Sequence, residues 1–144
     1  MSINAHNVAE MMGGEEMLGR SVRSVSELRE AVESGLPAKA LDLVARHVAR
    51  NDRDAAELKY RIVPKTTLHR RQRLTADESQ RLERLARMAA LAEEVWEDDD
   101  LAHEFLTSVQ PQLNGERPVD LARSDLGTRE VEELLYKLEY SLPV

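Results

Sequence analysis

KYRIVPKTTLHRRQR, residues Lys59 to Arg73, has six basic residues and no acid on a segment broken by one proline. A short helix from about Asp54 to Tyr60 leads into it and presents Ala55 and Leu58 as an apolar face. Ile62 and Val63 form an apolar turn closed by Pro64, where a second short helix begins. From Lys65 to Arg73 only Leu68 is suited to face inward; the other residues are polar or basic. Two short helices joined by a tight turn, the second cationic around all but one anchor residue, match the helix-turn-helix layout. Thr66, Thr67, His69, Arg70 and Arg71 supply short and long donors that can reach base edges and phosphates. Lys59, Arg61, Lys65 and Arg73 flank them as phosphate-neutralising cations. Arg61 stands at the turn position where such motifs often place glycine, so a positive φ is expected to be costly there.

A basic run is often only a solvated face, and three features argue against that reading here. The run lies on two short helices with a proline-marked turn, and its apolar face is too small for core packing. It also stands out from the charge of the whole chain, which is -7. No acid occurs between Leu58 and Ala76, whereas Glu93 to Val144 carries fourteen acids against four bases, a net of -10.

The surrounding sequence is helical in pattern, giving an all-α fold class. Residues 1–19 include a Gly-Gly pair without sustained periodicity and are read as a mobile arm, with one short turn near Val8 to Met12. The helix-turn-helix region is placed at 20–74 and a second helical region at 75–144. Ser24 with Glu27, and Thr75 with Glu78, are capping boxes. Gly35 suits a left-handed C-cap, and Pro37 suits the first position of the next helix. The Thr75 box opens the longest helix, with Leu82, Leu85, Ala86, Ala89, Ala92, Val95 and Trp96 at three-and-four spacing. Glu97 to Asp100 favour the start of another helix, Pro118 starts a short one, and Thr128 is expected to cap the last. Asn114-Gly115 could turn a hairpin, but its flanks lack alternation.

Composition narrows the function classes. Aromatic residues make up 3% of the chain and cysteine is absent, so the core is aliphatic and disulfides and thiolate chemistry are excluded. The pattern lacks a secretory leader and a membrane span, which makes the cytoplasm the expected location. His6, His47, His69 and His103 fall on separate elements without metal-ligand spacing, and Asp98 to Asp100 lack the spacing of a calcium loop. Gly13-Gly14 does not fit a phosphate loop. The expectation is a non-enzymatic protein without metal or cofactor.

Three stretches carry a family resemblance: IVPKTTLHRRQRLTADESQRLERLARMAALAEEVW, FLTSVQPQLNGERPVDLARSDLGTREVEELLYKLEYSLPV and, more loosely, SELREAVESGLPAKALDLV. Their order and spacing resemble the Xre/MbcA/ParS antitoxins that pair with RES-domain toxins. The resemblance implies a DNA-binding region followed by a small C-terminal toxin-binding domain. It also implies a partner toxin that consumes NAD, blocked by direct contact, and repression of the antitoxin's own operon. Departures are Arg61 where glycine is common, Asn114 where Gly-Gly is usual, and the ending Leu142-Pro143-Val144.

On that basis the toxin-binding candidates are Leu134, Lys137, Leu138, Tyr140, Ser141, Leu142, Pro143 and Val144. From the residues alone, Leu134 and Leu138 fit a core better than an interface, whereas Tyr140, Leu142 and Val144 belong to an apolar tail with little core left to join. Operator double-stranded DNA is the second expected partner, read by a homodimer within a larger toxin-antitoxin complex. A stand-alone regulator sensing a small ligand, and a helical adaptor without a DNA role, are the competing readings.

Overall fold

The computed structural model describes residues 4–141 and is all-α, with no strand among the described residues. It divides into two compact units, Met1–Arg87 and Met88–Val144, so the division falls inside the longest helix instead of at 74/75.

In the first unit, α1 (Ala5–Met11) is capped by the Asn4 side chain, which accepts from the Asn7 N–H at 3.0 Å. It is followed by α2 (Gly14–Leu18). Val8, Ala9, Met12 and Leu18 are buried, so residues 5–18 fold into the core rather than forming a mobile arm. The apolar residues here recur at spacings of three, four and six across a helix break, which hides their common face from a periodicity search.

Helix α3 (Val25–Glu33) starts on its capping box: the Ser24 hydroxyl accepts from Glu27 N–H at 3.1 Å, and the Glu27 carboxylate accepts from Arg23 N–H. Gly35 follows at φ +92, and a Cβ there would lie 2.6 Å from the Leu74 carbonyl oxygen, so glycine is required on two counts. Helix α4 (Ala38–Ala49) has Pro37 as its N-cap, one position earlier than expected. Pro37 is extended because its loop is stitched to residues 72–74. Ala38 N–H donates to Gln72 O at 2.9 Å and Leu74 N–H to Leu36 O at 2.8 Å.

Helices α5 (Asp52–Ile62) and α6 (Lys65–Leu68) follow, and α7 (Ala76–Trp96) opens on the second capping box. Here the reciprocal bonds form as the sequence requires, Glu78 N–H to Thr75 Oγ1 and Thr75 N–H to Glu78 Oε1. Leu41, Val44, Val48, Val63 and Leu82 are among the most deeply buried side chains of this unit.

In the second unit, Asp98 caps α8 (Asp99–Thr107) by accepting from Leu101 N–H at 2.9 Å. A 3-10 turn (Pro111–Leu113) and the left-handed Asn114 and Gly115 then close an isolated antiparallel bridge between Gln110 and Glu116. The discounted hairpin therefore survives as this single bridge. Pro118 occupies the first position of α9 (Pro118–Leu121). Helix α10 (Asp125–Ser141) begins three residues before Thr128, which is fully buried and donates its hydroxyl to Ser124 O at 2.8 Å. Capping falls instead to Ser124, whose Oγ accepts from Gly127 N–H at 3.0 Å. Gly127 itself packs so closely that a Cβ would meet the Leu121 carbonyl oxygen at 2.2 Å.

Candidate functional site

The first candidate site is built on α5, the turn after it, and α6. Asn51 caps α5 by accepting from Asp54 N–H at 2.8 Å, with Asp52 and Asp54 in the first turn and Lys59 and Arg61 in the last. Those charges match the sign of the dipole at each end, which helps α5 begin earlier and end later than its apolar pattern indicates. Arg61 is therefore helical without a positive φ, and the turn is built differently from motifs that place glycine at this position. The turn is made by Val63 and Pro64, both with negative φ, in conformations that need no glycine.

Helix α6 is shorter than the sequence suggests, ending at Leu68 instead of continuing to Arg73. Arg70 and Arg71 N–H groups still close turns onto Thr67 O and Leu68 O. The chain is then drawn out by the bonds between 72–74 and 36–38 described above. Leu68 is only half-buried, and α6 has no buried residue.

The nine predicted DNA-contacting residues separate into two groups. Lys65, Thr66, His69 and Arg70 are exposed on α6 and its exit, with Thr67 half-buried among them. Arg70 Nε donates to Thr66 O at 3.3 Å. The other four each engage a protein acceptor. Lys59 donates to Asp42 at 2.8 Å with its side chain 17% exposed, and Arg61 pairs with Glu57 at 2.6 Å. Arg71 pairs with Glu78, and Arg73 donates to Gly35 O at 2.6 Å. The last two fasten the exit of α6 to the start of α7 and to the α3–α4 loop.

Electrostatics follow this division. The hydrogen bond from Lys59 holds the Asp42 carboxyl below its usual range against the opposing effect of burial, with Arg46 assisting. Burial pushes Glu78 up, but the Thr75 N–H and the Arg71 guanidinium outweigh it and leave the carboxyl below the ordinary glutamate value. Glu78 was visible in sequence as a capping residue. Its bond to Arg71, and the bond of Asp42 to Lys59 seventeen positions away, had no local signal.

The second candidate site lies on α10. Val131 and Leu135 are fully buried, Leu134 and Leu138 are half-buried, and Lys137, Tyr140 and Ser141 are exposed. Ser141 Oγ donates to Lys137 O. Leu142, Pro143 and Val144 lie outside the described residues. Leu126, which sequence reasoning passed over, is 73% exposed, as is Tyr140 fourteen residues later on the same outward face. Burial, followed by the negative field of Glu132, Glu94 and Glu139, raises the Tyr136 hydroxyl pKa. Among the described residues no group of three or more His, Asp or Glu is placed to hold a metal ion, and no helix is long and apolar enough to cross a membrane.

Comparison with known proteins bears on both sites. Residues 27–87 match the antitoxin Xre-like helix-turn-helix domain, and residues 91–140 match the antitoxin Xre/MbcA/ParS C-terminal toxin-binding domain. The two matches occur in tandem and meet within α7. The chain is also 35% identical over 74 residues to antitoxin Xre of Pseudomonas putida. That alignment takes in 51% of this chain and 46% of the relative, so it spans just under half of the relative's length.

Proposed function

The chain belongs to the Xre-family antitoxins, and we propose that it neutralises a RES-domain, NAD-consuming toxin by direct binding and represses its own operon. In this reading the chain works without catalysis, in the cytoplasm, as a homodimer within a larger complex with toxin. The observation that carries it is the tandem order of the two family matches, a helix-turn-helix followed by a toxin-binding domain on one polypeptide.

The exposed group Lys65, Thr66, His69 and Arg70 supports the DNA half. These residues offer donors to base edges and phosphates from a segment held in place by Arg71 and Arg73. Lys59 and Arg61 contribute to the field at the site while paired with Asp42 and Glu57. The toxin half rests on α10, where Leu134, Lys137, Leu138, Tyr140 and Ser141 combine half-buried apolar side chains with an accessible edge. Aromatic and aliphatic anchors of this kind, ringed by charge, suit a partner-docking surface.

The test is co-purification of this chain with the product of the adjacent reading frame, together with a mobility shift on the DNA upstream of the pair. A stable complex and a specific, salt-sensitive shift are expected. Absence of the complex would remove the antitoxin reading, and absence of the shift would remove autoregulation.

A further inference from the structure

We propose that a cleft bounded by α4, α5 and α6 is a binding site for a small phosphate monoester carrying a single planar ring. The cleft encloses about 280 Å³, with Tyr60 and Leu68 on its apolar side and Lys39, Asp42, Lys59 and His69 on its polar side. Ligand clefts commonly run from roughly 300 to 1,000 Å³, and this one, just below that range, has room for no more than a single ring with its phosphate.

Charge selects the anion. Both oxygens of Asp42 are already engaged, Oδ1 by Lys59 Nζ at 2.8 Å and Oδ2 by Arg46 Nε at 3.0 Å. Arg46 is shared with Asp52 at 2.6 Å. Lys65 Nζ lies 6.0 Å from the Tyr60 ring centroid and Lys59 Nζ 5.4 Å from it. At the cleft itself Lys39 and Lys59, with Lys65 against the Tyr60 ring, stand against the single carboxylate of Asp42, leaving a surplus of two cations beside an apolar wall. Lysine ammonium groups are compact point charges with freely rotating donors, well matched to a tetrahedral phosphate dianion. The half-buried position of Lys59 also suits it to a ligand inside the cleft better than to the backbone of a passing duplex.

The site shares Lys59, Lys65 and His69 with the residues proposed to face DNA and borders the same segment. Leu68 ends α6 and His69 caps it, so an occupant of the cleft touches the element that presents Thr66 and Arg70.

Amide NMR spectra of the full chain, titrated separately with phenyl phosphate, inorganic phosphate, phenol and a short duplex of unrelated sequence, test the proposal. Phenyl phosphate is expected to give saturable shifts centred on Lys39, Tyr60, Leu68 and His69, with affinity roughly tenfold above either fragment alone. Lys39→Gln and Tyr60→Leu should each weaken it by roughly tenfold, leaving the remaining amide shifts in place as proof of folding. No saturable shift with phenyl phosphate, equal affinity for inorganic phosphate, shifts at these amides with the duplex only, or indifference to both substitutions would each overturn it.

Discussion

Replacing Ser79 with alanine removes one oxygen from the interior of the first unit. Ser79 is fully buried in α7, and its Oγ accepts from the Leu36 N–H at 2.8 Å, with Leu36 itself 1% exposed. No water can reach the amide once the hydroxyl is gone, so the cost is that of a buried unsatisfied donor, about 1–3 kcal/mol. Alanine recovers about 0.5 kcal/mol through its better helix propensity. The net expectation is a loss of about 0.5–2.5 kcal/mol, which lowers the melting temperature by about 4–8 °C per kcal/mol for a unit of this size. Urea denaturation of Ser79→Ala beside the parent chain reads the effect, and hydrogen exchange at Leu36 locates it. The sign is decisive, because an exposed helical serine changed to alanine would stabilise the protein. Equal or greater stability of the variant would refute the claim that this bond ties the α3–α4 loop to α7.

The other predictions concern backbone space, acid and the two binding halves. Gly127→Ala should destabilise the second unit by about 2 kcal/mol or more, read by urea denaturation, because its Cβ would meet the Leu121 carbonyl oxygen at 2.2 Å. Glu78 titrates below an ordinary glutamate, so the stability it confers is present above the unfolded-state pKa and disappears as pH falls through the lower folded value. Melting temperatures of Glu78→Gln followed from neutral to acid pH should therefore start lower than those of the parent and converge on them. Arg70→Ala should weaken DNA binding and reduce the salt slope by about one while sparing stability, whereas Arg71→Ala should lower the melting temperature through loss of its bond to Glu78. Leu126→Ser combined with Tyr140→Ser should weaken toxin binding in calorimetry without changing the melting temperature, since both side chains are exposed.

Local chemistry made much of this molecule legible. The capping boxes at Ser24 and Thr75 and the proline at 118 marked helix starts that the structure contains, because each depends on residues within one turn. Errors arose where distant partners intervene. α6 stops at Leu68 because the following residues bond to 36–38, and Lys59 is turned to Asp42 by packing of α5 on α4. Thr128 was expected as a cap because a hydroxyl before an apolar stripe has that signature, yet Ser124 fills the role one turn earlier. Burial of Val8 and Met12 depends on the rest of the first unit, and no periodicity within residues 1–19 announces it. Exposed Leu126 was similarly invisible, since its position before the apolar stripe of α10 carries no sign of which way it faces.

Whether this chain neutralises a toxin is read from the growth of cells expressing the adjacent reading frame, with and without this chain. Arrest is expected when that frame is expressed alone, and recovery when this chain is co-expressed, a recovery that Arg70→Ala retains. Continued arrest in the presence of the folded chain would contradict it.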